Sequence, residues 1–145
     1  MASVQDILDA KGTQVFSVAE DQTVLSAAHS MNKHRVGALV VTRGEKVVGI
    51  FTERDILNRV VAAGRDPGRT LVREVMSTPV ACCAPETTQE ECRTVMRTQR
   101  IRHLPVVQGE RLVGIISVGD VLAAVEAKQG ETIRYLFEYM YGEWH

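Results

Sequence analysis

The sequence predicts a mixed α/β (α+β) fold: two β-α-β-β-α repeats packed with pseudo-twofold symmetry. Three observations predict it. A shift of 65 residues lays Thr13–Leu57 on Thr78–Leu122 without a gap, with 15 identities in 45 positions. Each copy shows a helical apolar stripe followed by two β-branched runs around a Gly-containing turn. A single copy of about 55 residues is marginal by surface-to-volume scaling, so two copies facing each other supply the missing cover.

The elements follow in chain order. Residues 13–18 and 78–83 are short extended segments. Thr23–His34 places Val24, Ala27, Ala28 and Met31 at i, i+3, i+4, i+7, the stripe of an amphipathic helix. Its counterpart, Thr88–Gln99, carries Cys92, Val95 and Met96. The runs Val36–Thr42 and Lys46–Phe51 flank Arg43-Gly44-Glu45 and read as a hairpin; Leu104–Val107 and Arg111–Ile116 repeat it around Gln108-Gly109-Glu110. A second helix follows each hairpin, from Thr52 and from Ser117. Arg65-Asp66-Pro67-Gly68-Arg69 is turn-rich and marks the boundary. The predicted units are 1–66, a first repeat with an N-terminal helix; 67–130, the second repeat; and 131–145, a C-terminal helical tail.

Composition narrows the function classes. Hydrophobic residues at 45% and charged residues at 24% fit an ordinary soluble domain. The longest apolar runs are strand-sized, far short of the roughly 18 residues of a membrane span. The start, Met1–Asp6, lacks the basic head and apolar centre of a signal peptide. Cys82, Cys83 and Cys92 form no Cys-x-x-Cys pair, and their odd number reads as reduced thiols, which makes the cytoplasm the expected compartment. With 17 basic and 18 acidic side chains the net charge is -1, against a general nucleic-acid binder. Arg93, Arg97, Arg100 and Arg102 nevertheless crowd one stretch, either a solvated helix face or a phosphate groove. The histidines lack metal-ligand spacing, and His29 and His34 read as surface positions. Neither a G-x-G-x-x-G nor a Walker phrase is present.

The chemistry concentrates at the hairpin-to-helix junctions. One reads Gly49-Ile50-Phe51-Thr52-Glu53-Arg54-Asp55 and the other Gly114-Ile115-Ile116-Ser117-Val118-Gly119-Asp120. A hydroxyl followed three residues later by an acid is the pattern of a capping box, which Asp fits less well than the longer Glu. The same geometry suits a ligand. A helix start favours phosphate, and a carboxylate one turn on offers two acceptors for the two hydroxyls of a ribose.

The repeated unit with these two phrases resembles a tandem pair of CBS (cystathionine-β-synthase-type) domains, a Bateman module, over most of the chain. Val75-Met76-Ser77-Thr78-Pro79 and Arg102-His103-Leu104-Pro105-Val106 strengthen the likeness. The resemblance implies a regulatory, energy- or ligand-sensing module without catalysis and without a catalytic cofactor. Its implied ligand contains adenosine: AMP, ADP or ATP, with NAD or S-adenosylmethionine as further members of that set. It places Asp55 on the ribose and Thr52 and Arg54 on phosphate, with Thr13, Gln14, Val15, Ala38 and Leu39 around the base. A second site takes Asp120 and Ser117, with Thr78, Pro79, Val80, Leu104 and Pro105 around its base. Arg102 and His103 are expected in the central groove, reaching a phosphate held by the first site. Two departures weaken the symmetry: Gly119 stands opposite Arg54, and Val40 opposite Pro105. A structural dimerisation module with empty sites is the rival expectation.

The tail points to a partner. Five of the seven aromatics fall within Tyr135–His145, and Ile133, Leu136, Phe137 and Met140 form one stripe. Such a surface fits an interface, and CBS pairs commonly associate as disc-like homodimers. A target protein is also implied, and nothing in the sequence names it.

Overall fold

The computed structural model describes residues 2–129; the tail at 131–145 and its aromatic stripe lie outside the described residues. Helix α1 (Val4–Lys11) starts on Ser3, whose hydroxyl accepts from the Asp6 amide while the Asp6 carboxylate accepts from the Ser3 amide. The first repeat then runs β1 (Ser17–Ala19), α2 (Val24–His34), β2 (Ala38–Arg43), β3 (Lys46–Thr52) and α3 (Glu53–Asp55). Helix α3 continues as a π-helical stretch, Ile56–Val61, with the Ala62 amide reaching back five residues to Leu57. The second repeat runs α4 (Val72–Val75), α5 (Gln89–Gln99), β4 (His103–Gln108), β5 (Arg111–Ser117) and α6 (Val118–Gln129). None of the described helices is long and apolar enough to cross a membrane.

The duplication is visible in fine detail. Thr23 and Thr88 cap α2 and α5 at the same repeat position, each hydroxyl accepting from the amide three residues on. Both helices end on a left-handed arginine, Arg35 at φ 54° and Arg100 at φ 56°. Each hairpin carries a bulge at the corresponding place, between Val41 and Thr42 and between Val106 and Val107.

The copies differ in their first strand. β1 lies parallel on β2 in a three-stranded sheet, whereas the second copy has a two-stranded sheet and a single bridge, Cys83 to Val106. Two prolines explain the loss. In the first copy Val40 donates to the Phe16 carbonyl at 3.2 Å and Glu20 donates to the Thr42 carbonyl at 3.0 Å. The residues 65 positions on are Pro105 and Pro85, which have no N–H to give. Only the two middle bonds survive, Cys83 to Pro105 at 2.9 Å and Val107 to Cys83 at 2.8 Å. The extended segment expected at 78–83 is therefore held at one residue.

Chain order and core membership disagree in an informative way. α1 precedes the first repeat, yet Val4, Ile7 and Leu8 are buried with Cys83, Cys92, Leu104 and Ile116 of the second. α4 precedes the rest of the second repeat, yet Val72 and Val75 are buried with Leu39, Phe51 and Val60 of the first. Each repeat thus completes its core with the short helix that introduces the other. The identical glycines of the two junction phrases mark the crossings. A Cβ at Gly49 would lie 2.7 Å from Met76 Sδ and 3.0 Å from the Ser77 carbonyl, and one at Gly114 would lie 2.8 Å from Leu8 Cδ2. Each such buried aliphatic side chain contributes about 1.5–3 kcal/mol, so neither repeat keeps its core without the other's arm.

Some expected surface positions moved inward. His29 is exposed, but His34 is half-buried and stacked on Phe16 with ring centroids 3.9 Å apart. Cys82 is exposed while Cys83 and Cys92 are buried free thiols. Leu57 and Leu122, equivalent in the repeat, are 59% and 56% exposed.

Candidate functional site

The first junction is built from its own helix start. Thr52 caps α3: its hydroxyl accepts from the Asp55 amide at 3.3 Å, and Asp55 Oδ2 accepts from the Thr52 amide at 3.0 Å. The Thr52 hydroxyl also donates to Asp55 Oδ2 at 3.3 Å. The other carboxylate oxygen accepts from the Ser77 hydroxyl at 3.0 Å and lies 3.8 Å from Arg59 Nε. Arg59 in turn donates to the carbonyls of Val75 and Met76 at 3.2 and 2.8 Å. Asp55 is only 5% exposed, so this network ties α3 to the arriving end of α4.

The second junction repeats the box with a different anchor. Asp120 Oδ2 accepts from the Ser117 amide at 2.8 Å, and the Ser117 hydroxyl accepts from the Asp120 amide at 3.1 Å. Lys11, at the end of α1, places its ammonium 2.7 Å from Asp120 Oδ2 and donates to the Ile115 carbonyl at 2.9 Å. Both aspartates therefore form capping boxes after all. The shorter side chain closes the box because the strand-to-helix turn is tight, and its carboxylate is then filled by a neighbour from the exchanged helix or its trailing residue.

A groove of about 370 Å³ opens beside Asp55, between the repeats. The first repeat contributes Thr52, Glu53, Arg54 and Asp55 to one wall, with Asn58 and Arg59 beyond them. Pro79, Val80 and Ala81 form an apolar wall, and Arg100, Arg102 and His103 close the far side. The groove thus gathers Thr52, Arg54, Asp55, Pro79, Val80, Arg102 and His103 among the expected residues.

The expected grouping of base-enclosing residues is crossed. Pro79 and Val80, assigned by repeat to the Asp120 site, stand opposite Asp55. Thr13 and Gln14 are exposed and Val15 half-buried, away from this groove. Ala38 and Leu39 are buried in and beside the first core at 8% and 0% exposure, as are Leu104 at 1% and Pro105 in the second. Thr78 spends its hydroxyl on the Val48 carbonyl at 3.1 Å. The crossing has the same cause as the exchanged helices: the segment entering one repeat passes over the other. Sequence reasoning missed Ser77 and Arg59 as groove residues, while Arg100, one of the four arginines read as a solvated face or a phosphate groove, lines it. The i, i+4 spacing of Asp55 and Arg59 was the readable signal for one of them.

Burial, then the charge of Arg102, pushes the His103 imidazole below its ordinary value; Asp120 and Glu53 oppose this and Lys11 adds to it. The unfolded chain therefore binds more protons than the folded one below about pH 6.5. The neutral ring's stabilisation is full above that pH and is lost as pH falls through the folded value. His103→Gln is expected to flatten this acid limb, read from urea midpoints between pH 7.5 and 5. An unchanged limb would show that other groups carry it.

Two β-α-β-β-α units that exchange helices and enclose a groove define a tandem-repeat module. The family profile of the CBS domain matches residues 3–62 and 72–127, and the chain belongs to that family. YhcV of Bacillus subtilis is 41% identical over 121 residues, spanning 83% of this chain and 84% of that protein. The mitochondrial CBS domain-containing protein CBSX3 of Arabidopsis thaliana is 34% identical over 149 residues, 97% of this chain and 72% of its own. Among solved structures, a CBS-domain protein from Burkholderia ambifaria superposes with TM-score 0.86 at 37% identity, covering 89% of this chain and 97% of that one. Hypoxic Response Protein I, solved with two coordinated zinc ions, gives TM-score 0.73 at 30% identity over 86% and 99%. Among the described residues of this chain, no group of three or more His, Cys, Asp or Glu is placed to hold a metal ion.

Proposed function

We propose that this CBS pair is a non-catalytic sensor that binds an adenine nucleotide (AMP, ADP or ATP, with NAD as the dinucleotide alternative) in the groove beside Asp55. One observation carries the reading. The groove sets an apolar wall, Pro79, Val80 and Ala81, opposite a capped helix start, with Arg54, Arg100 and Arg102 at its edge. An apolar wall suits a base, a carboxylate suits a ribose, and guanidinium groups suit phosphate. The Asp120 site is the weaker of the two, because Lys11 already neutralises its carboxylate and Gly119 offers no cation. The signal passes to a target protein through a change in shape, and the active form is a homodimer. Leu57 and Leu122, exposed at equivalent repeat positions, suit a face shared with a second copy.

A second reading, a dimerisation scaffold with vestigial sites, is favoured by one specific fact. Both aspartates already have hydrogen-bond partners within the chain itself. Calorimetry with AMP, ADP, ATP, NAD and GTP separates the two. A sensor binds at least one adenine ligand and is stabilised by about 2.7 kcal/mol at a hundredfold excess over Kd. Silence of every adenine ligand at millimolar concentration leaves the scaffold.

A further inference from the structure

The groove beside Asp55 does not end at its arginines. A second depression of about 500 Å³ opens on their far side and shares Arg54, Arg100 and Arg102 with it. It adds Arg93 and Arg97, one turn apart on α5, beside the apolar Met96, Val121 and Leu122, the last at the edge of the face offered to a second copy. Its lining contains no acidic residue.

The charge this gathers is out of proportion. The two depressions hold six of the chain's 17 basic residues and, in Glu53 and Asp55, two of its 18 acidic ones. In a chain of net charge -1 these two depressions are therefore locally basic. Among the described residues, none of the five arginines of the second depression takes part in an ion pair. Like charges one helical turn apart weaken a helix, and an anion between them reverses that cost. The three shared arginines suffice for one phosphate, and Arg93 and Arg97 line the second depression alone.

We infer that the two depressions form one continuous track for a polyphosphate chain. The phosphate nearest the groove meets Arg54, Arg100 and Arg102, and the distal phosphates lie against Arg93 and Arg97. With the nucleotide reading above, on which the choice of a nucleoside head rests, the ligand class is a nucleoside triphosphate rather than a monophosphate. The track itself asks only for linked phosphates.

Calorimetry on the full chain with AMP, ATP and inorganic tripolyphosphate tests this, using wild type and the double variant Arg93→Gln, Arg97→Gln. Wild type should bind ATP at least about ten-fold more tightly than AMP, the equivalent of one charge-assisted hydrogen bond. The double variant should lose that ratio while keeping its AMP affinity within about twofold, and should lose tripolyphosphate binding. Equal wild-type affinity for AMP and ATP overturns the track, and this comparison does not depend on the variant folding. So does a variant that weakens AMP and ATP by the same factor. Tripolyphosphate binding that the variant abolishes, with no nucleotide bound by either protein, supports the track and removes the nucleoside reading instead.

Discussion

Phe51→Ala is expected to remove about 3–5 kcal/mol of folding free energy, the range for deleting a buried aromatic. Phe51 is fully buried among Val24, Leu39, Val60 and Val72, and so sits where the first repeat receives helix α4 from the second. Against a total stability of about 5–15 kcal/mol, this approaches complete unfolding at physiological temperature. The loss should not stay local. If the repeats are interlocked, urea unfolding followed by the two cysteine-bearing and cysteine-free halves, through thiol labelling and far-ultraviolet dichroism, should remain one coincident transition. A variant that exposes Cys83 and Cys92 no faster than wild type while losing the first repeat would contradict the interlocked cores.

The aspartates should differ, despite their identical place in the repeat. Asp55→Ala removes a carboxylate only 5% exposed, and with it the return bond of the capping box and the partner of the half-buried Ser77 hydroxyl. Two lost hydrogen bonds to a charged group, each worth about 1.5–3 kcal/mol and less where the donor can meet water, put the expected cost at about 2–4 kcal/mol. Asp120→Ala removes the equivalent return bond, but the Lys11 ammonium it leaves is partly exposed and returns to water. Its cost should stay near about 1 kcal/mol, since a partly solvated ion pair contributes little. In calorimetry the order should hold again, with at least about ten-fold weaker nucleotide binding for the Asp55 variant and a smaller change for the other. Equal losses in stability and in affinity would show that the two junctions are interchangeable.

The periodic parts of the fold are legible in the sequence. Val24, Ala27 and Met31 marked α2, and the runs around Gly44 and Gly109 marked both hairpins; all are where the pattern put them. Local chemistry made them so, because side-chain period and turn residues act over a few positions. The shortened first strand of the second copy was also written in the chain, as Pro85 and Pro105. It becomes readable only once the neighbouring copy shows which amides those prolines replace. What the sequence could not carry was partnership across distance. Nothing local to Lys11 says that its ammonium ends 2.7 Å from Asp120, and nothing local to Pro79 and Val80 says that they face Asp55. Those contacts depend on which helix crosses to which core, a decision made by packing rather than by period.

Lys11 makes helix α1 a brace. One end of α1 is fastened to the second repeat by backbone bonds from Val4 to Thr87 and from Gln5 to Pro85, and the other end rests on Asp120. The eight residues between span about 12 Å as a rigid rod. Because Val4, Ile7 and Leu8 seat α1 in the second core, the ammonium joins that helix and the Asp120 junction into one body at both ends.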